Sequence, residues 1–364
     1  MKMSWVLSGA AAASISLTSF AADTIKIGVA SPYSGNLASY GIPVRNAVDL
    51  AINEINKKGG ANGKKLEMVA VDDVCAANDA ITAANKFLAE KVVAVVGHLC
   101  SGATEAALGI YKKSKTIVIS PASTRVDLTF SKKNPHFFRT IPHDFVQGDT
   151  QVKYAVDNLK VKTAAVVHDK SAYGQPLAAY IKEQLEKNNV KIKLFEGITP
   201  GAVSYSSIVA KIKKEKVDVV FFEGYHAEAA KIIKTARKKK IKAHFFSGDG
   251  VKSDDFLKLS KKYGDGYYMT APAQSSNKEF INAYKTKFNE APGQFSLGAY
   301  AAVKVIVNAI NNTKSTSYDS LKTELHKSSV NTPMGAISFD EKGDLKGAKF
   351  AIFQVDGNKY KELK

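Results

Sequence analysis

The chain has 364 residues, 45% of them hydrophobic, with a formal net charge of +18 and only two cysteines. That length is enough for about two domains of ordinary size, each with a sizeable core. The positive excess is mostly lysine scattered along the chain. No aromatic-interleaved basic motif accompanies it, so nucleic acid is not an expected partner. The densest run, ARKKKIK from Ala236 to Lys242, reads as the solvated end of a helix, where cations also suit the helix dipole.

The chain opens with MKMSWVLSGAAAASISLTSFAA. One early lysine, a short middle of apolar and small residues and a small-residue end predict a secretory signal peptide over residues 1–21. It is too short and too weakly apolar for a membrane anchor. Cleavage after Ala21 would put Ser19 and Ala21 at the two positions that need small residues. No cysteine lies near the junction, which argues against a lipoprotein. Export then makes one disulfide between Cys75 and Cys100 the simplest use of the two cysteines. Closing that loop would stabilise the fold by about 3 kcal/mol. The alternative is a metal held by Cys75, Cys100, His98 and a fourth ligand, but no CxxC or HExxH spacing supports it.

Downstream, apolar runs rich in β-branched residues recur at IKIGVA, LEMVAV, VVAVVG, TIVIS, TAAVVH, IKLFEG, VDVVFF, AHFFS and GYYMT. Segments of helical period lie between most of them, such as VRNAVDLAINEINKKGG. Strands without polar alternation are buried on both faces, which predicts parallel sheets covered by helices. Repeated strand–helix units predict an α/β, doubly wound fold. Nine strands and this length call for two lobes. A break is expected near FFRTIPHDFVQGD, with a short connecting strand at Phe137–Thr140 and a new helix from about Asp144. After GYYMTAP three helical segments follow without strands, and these should pack back onto a lobe already built. The tail AISFDEKGDLKGAKFAIFQVDG reads as a β-ribbon. The expected division is 23–142 with 273–349 in one lobe and 143–272 with 350–364 in the other, joined by a hinge of several crossings.

Signatures of catalysis are weak. No GxGxxG follows a strand, and GGANGKK (Gly59 to Lys65) lacks the spacing and the hydroxyl of a phosphate loop, reading better as a helix C-cap and turn. Ser34 has proline at position 32 where a nucleophile elbow needs glycine. The chain is therefore expected not to be an enzyme and to use no cofactor or metal. The informative residues lie just past the strand ends, where open α/β sheets bind ligands. They are SPYSGNLASYG, HLCSGAT, PAST, HDKSAYG, EGYHAE and SGDG. Hydroxyls and helix-start amides suit a carboxylate; Asp249, a carbonyl and the faces of Tyr40, Tyr173 and Tyr225 suit an ammonium; and aromatic and aliphatic walls suit an apolar side chain. A free α-amino acid presents all three groups. Taken singly, each residue has an ordinary explanation: capping for the serines, packing for the tyrosines, and capping of a helix near Ser253 for Asp249.

GHLCS, SPAST, VHDKSAYG, GYHAE and MGAISFDEKGDLKG occur in an order and at spacings by which the chain resembles the periplasmic leucine/isoleucine/valine-binding proteins of ABC importers, over essentially its whole mature length. The resemblance implies a type I periplasmic binding fold. It implies a periplasmic protein, expected as a monomer, that captures a free L-amino acid, most simply a branched-chain one, by hinge closure and delivers it to an inner-membrane ABC permease. It further implies that Ser101 binds the ligand carboxylate and that the backbone around Ala122, Ser123 and Thr124 serves carboxylate and ammonium. Tyr40, Tyr173, Tyr225, Leu99, Cys100 and Phe295 would line or border the site, and Cys75 would be joined to Cys100. One departure concerns the ammonium-binding acid of the second lobe, usually a glutamate in a GPEG-like turn. Here the turn is SGDG, and Asp249 retracts the carboxylate by roughly 1.2–1.5 Å. A reading of another class is an exported ligand-sensing domain, for another amino acid or a small amide, acting on a receptor.

Overall fold

The computed structural model describes residues 24–273 and 277–363; the expected signal peptide lies outside them. The first half begins with β1 (Ile25–Ser31), α1 (Ala38–Lys57), β2 (Leu66–Asp72), α2 (Ala77–Ala89) and β3 (Ala94–Val96). It continues with α3 (Ser101–Lys113), β4 (Ile117–Ser120), the short α4 (Asp127–Phe130) and β5 (Phe137–Arg139). These five strands form one sheet in the order β2-β1-β3-β4-β5, parallel throughout. β3 and β4 carry no polar alternation and are buried on both faces, as the short apolar runs predict. β2 sits at an edge, and most of its residues are only half-buried. The GGANGKK segment follows α1 with Gly59 and Gly60 at φ of +99° and +82°, backbone that glycine adopts without cost, so it is the turn expected.

The second sheet is built from β6 (Thr163–His168), β7 (Lys191–Gly197), β8 (Val219–Glu223), β9 (His244–Ser247) and β10 (Tyr268–Pro272). Its helices are α5 (Asp144–Asp157), α6 (Gly174–Lys187), α7 (Ser206–Glu215), α8 (His226–Lys238) and α9 (Asp254–Ser260). α5 starts at the expected aspartate. α8 ends inside the lysine run, where Arg237 donates to the carbonyls of Ile241 and Ala243 at 2.6 and 3.0 Å. The region after β10 holds α10 (Lys278–Phe288), α11 (Ser296–Thr313) and α12 (Tyr318–Lys327). All three pack on the first sheet's core through residues such as Phe280, Ala301 and Leu321, so the strandless helices do return to a lobe already built.

The tail departs from the purely parallel expectation. A small hairpin, β11 (Val330–Thr332) and β12 (Gly335–Ile337), precedes β13 (Phe350–Asp356) and β14 (Lys359–Leu363). β13 and β14 pair antiparallel to each other, and β13 pairs antiparallel to β10. The second sheet is therefore mixed, in the order β14-β13-β10-β9-β8-β6-β7. A two-residue turn at Gly357 can only reverse the chain, so a C-terminal ribbon has no crossover helix with which to become parallel. β7, at the other edge, alternates exposed and half-buried residues instead of being buried on both faces. The chain passes between the two sheets three times: after β5, after β10 and ahead of β13.

Candidate ligand-binding site

The carboxyl ends of the strands in both sheets face a common cleft, so the turns that follow them meet there. Leu99 and Ser101 lie between β3 and the start of α3, and Ala122 follows β4. Tyr173 precedes α6, Tyr225 precedes α8, and Asp249 with Gly250 follows β9. Tyr40 from the first turn of α1 and Phe295, just ahead of α11, complete the wall. Together these nine residues line one narrow, partly open cavity. Eight of the eleven ligand-contact residues expected from sequence are in that lining; Cys100, Ser123 and Thr124 are not, and Gly250 is an addition.

On the first-lobe side, Ser101 is the first residue of α3 and is buried. Among the described residues its Oγ accepts a single long 3.4 Å hydrogen bond, from the Arg125 amide, and it stands at a helix start, where the first amides have no intrahelical partner. Ser123 turns its hydroxyl inward, donating to the carbonyls of His98 and Leu99 at 3.1 Å each and lying 2.6 Å from the Thr104 hydroxyl. It braces the strand–helix turn, leaving only its backbone near the ligand side. Thr124 is fully buried; its carbonyl accepts from the Asp144 amide at 2.9 Å, while its hydroxyl makes no hydrogen bond of ordinary geometry. Cys100 is bonded to Cys75, with their Cα atoms 5.4 Å apart. His98 is held by Asp73 at 2.6 Å and Tyr111 at 2.9 Å, so it supports the fold and is spoken for on both ring nitrogens.

On the second-lobe side Asp249 is buried, and its Oδ1 accepts from Gln147 at 2.7 Å and from the Tyr173 hydroxyl at 2.8 Å. It does not cap α9, because the Ser253 hydroxyl does so by accepting from the Phe256 amide. Burial, reinforced by the nearby Asp144 carboxylate, pushes the Asp249 carboxyl up to about 7. Glycine at 248 leaves room for this packing, since a Cβ there would overlap the Tyr173 hydroxyl and come within 2.9 Å of the Glu223 carboxylate. Two hydrogen bonds cross from the first lobe to this turn: Tyr40 Oη donates to the Gly250 carbonyl at 2.9 Å, and Gln294 Nε2 to the Asp249 carbonyl at 2.9 Å. The aromatic walls pack on one another, Tyr40 with Phe295 at 5.8 Å and Tyr173 with Tyr225 at 5.6 Å between ring centroids.

Sequence reasoning missed Asp144 and Gln147, and it gave Glu223 no role although EGYHAE stood among the strand-end stretches. Asp144 reads as an ordinary acid in the first turn of a helix, Gln147 as a surface amide and Glu223 as the last residue of a strand. Nothing in their spacing says that three elements converge on Asp249.

A family model described as periplasmic binding protein matches residues 24–360. The chain belongs to the periplasmic binding protein family. It is 35% identical over 357 residues to the leucine-, isoleucine-, valine-, threonine- and alanine-binding protein of Pseudomonas aeruginosa, covering 97% of this chain and 95% of that one. It is 36% identical over 362 residues to the Leu/Ile/Val-binding protein of Citrobacter freundii, covering 98% of each. Among solved structures, the branched-chain amino acid transporter substrate binding protein LivJ of Streptococcus pneumoniae, in complex with isoleucine, superposes with a TM-score of 0.84. That match has 27% sequence identity and covers 94% of this chain and 99% of that one.

In this periplasmic binding protein the inner cavity adjoins a wider, open cleft of about 710 Å³, lined by both lobes. Val74, the Cys75–Cys100 disulfide and Glu105 form one lip; Ser171, Pro200 and Glu228 form the other. Tyr173 and Tyr225 line both spaces and stand between them.

Proposed function

We propose that this binding protein captures a free branched-chain L-amino acid in the periplasm and delivers it to an inner-membrane ABC permease, as a monomer and without chemical turnover. The observation that carries the reading is the polar asymmetry of the inner cavity. Ser101, the first residue of α3, and Asp249, after β9, line the same cavity from the two sheets, and the other side chains of the lining are aromatic or aliphatic. Ser101 and the backbone at Ala122, Ser123 and Thr124 would take the carboxylate, and Asp249 with Thr124 the ammonium. Tyr40, Leu99, Tyr173, Tyr225 and Phe295 would enclose the side chain, with Cys100 at the border. The named ligands of the relatives support the same class.

The mechanism is closure of two bodies, residues 23–142 with 273–349 against 143–272 with 350–364. The ligand meets one lobe first and then bridges to the other, so it favours the closed state by its extra contacts there. A thermal-shift screen of the twenty amino acids and small amides tests the assignment. A ligand at a hundred times its Kd raises stability by about 2.7 kcal/mol, so leucine, isoleucine and valine are expected to raise the melting temperature clearly and acidic or basic amino acids not to. No shift with any amino acid would overturn the reading.

A further inference from the structure

Asp249 does not stand alone. Asp144, the first residue of α5, is 2% exposed, and Glu223 at the end of β8 is fully buried beside it. The Gln147 amide links two of these acids, donating to Asp249 Oδ1 at 2.7 Å and reaching Asp144 Oδ1 at 3.5 Å, while its own carbonyl oxygen accepts from the Asp249 amide at 3.2 Å. Around this group α6 presents the Tyr173 hydroxyl, the start of α8 presents Tyr225, the loop after β4 presents Thr124 and Arg125, and β5 presents Arg139. Glu223 Oε2 is held by the Gly248 amide at 2.9 Å. Both nearby cations serve other acids: Arg139 is bonded to Asp344 at 2.5 Å, and Arg125 to Glu105 and Asp127. Asp144 Oδ2 and Glu223 Oε1 have no hydrogen-bond partner of ordinary geometry.

We propose that Asp144 and Asp249 work as one acid pair that holds a proton, and that capture of the ligand ammonium expels it. Two buried carboxyls bridged by a single amide cannot both ionise cheaply without a cation of their own, and a pair so coupled titrates as a unit. An ammonium arriving at Asp249 offsets one negative charge, one carboxyl ionises, and its proton leaves to solvent. Burial pushes Asp144 up to about 7 as well, so the exchange falls in the neutral range. Below that range both carboxyls are protonated before capture and each binding event must release a proton; well above it the acceptor is already ionised and none is released. Asp144 is thus a positioning and charge-setting residue acting through Asp249. The proposal rests on Asp249 receiving the ligand ammonium.

The test is calorimetric titration with L-isoleucine from pH 5.5 to 8.5 in pairs of buffers whose ionisation enthalpies differ, phosphate and Bis-Tris below pH 7.5 and HEPES and Tris above it. The protein is expected to release close to one proton per ligand at pH 6 and almost none at pH 8.5, with affinity about tenfold weaker at pH 6 than at pH 8. Asp144→Asn should move the midpoint of proton release to lower pH; a merely structural role would alter melting without moving that midpoint. Equal heats in both buffers of a pair at every pH, or an unmoved midpoint in Asp144→Asn, would overturn the acid pair while leaving amino-acid capture intact. No binding of isoleucine at any pH would overturn the amino-acid reading and the pair with it.

Discussion

Asp249 carries more of the site's electrostatics than any other side chain in the lining, because it is buried, aimed by Tyr173 and Gln147, and set opposite Ser101. An anchor used mainly on closure governs dissociation more than encounter. Asp249→Asn is therefore expected to weaken isoleucine binding at least tenfold, about 1.4 kcal/mol, with most of the change in the off-rate measured by stopped flow. An unchanged affinity would remove Asp249 from the site. Ser101→Ala is expected to cost about 1.5–3 kcal/mol of binding, the range for a hydrogen bond to a charged group. Its effect on the ligand-free melting temperature should be small, since the hydroxyl's one hydrogen bond among the described residues is the long one from the Arg125 amide.

At the scale of elements, the β3–α3 turn is the most heavily braced part of the cleft. Its backbone carbonyls at His98 and Leu99 are held by Ser123, and His98 also accepts from Ser120 at 2.7 Å. The disulfide ties Cys100, the residue ahead of α3, to Cys75 twenty-five positions earlier. This bracing fixes the position of Ser101 at the start of α3. Replacing both cysteines by alanine is expected to lower the unfolding free energy by about 3 kcal/mol, seen as an earlier urea midpoint. Thiol titration of the unreduced, denatured wild type should read near zero.

Across the whole molecule, two polar contacts between the lobes converge on the same turn. Tyr40→Phe removes the hydroxyl that donates to the Gly250 carbonyl and leaves the ring packed against Phe295. A net hydrogen bond is worth about 1 kcal/mol, so the closed state should lose about fivefold in population relative to the open one. Small-angle scattering would show a larger radius of gyration for the ligand-free variant, converging on the wild-type value with saturating isoleucine. A variant indistinguishable from wild type without ligand would mean that the bond does not bias closure.

Much of this was legible in order along the chain. Apolar runs without alternation announced the parallel strands of both sheets, glycines and lysines marked where α1 and α8 end, and polar residues past the strand ends named most of the cavity lining. Those signals are local, because a strand's burial and a helix's termination are written in a few adjacent side chains. Tertiary structure alone decided what depends on distant elements meeting: that the C-terminal ribbon joins the second sheet antiparallel to β10, that β2 and β7 lie at edges and are partly exposed, and that Ser123 turns away from the cavity. It alone also placed Asp144, Gln147 and Glu223 around Asp249. A carboxyl's charge is set by burial and by neighbours from other elements, and no stretch of sequence around Asp249 contains them.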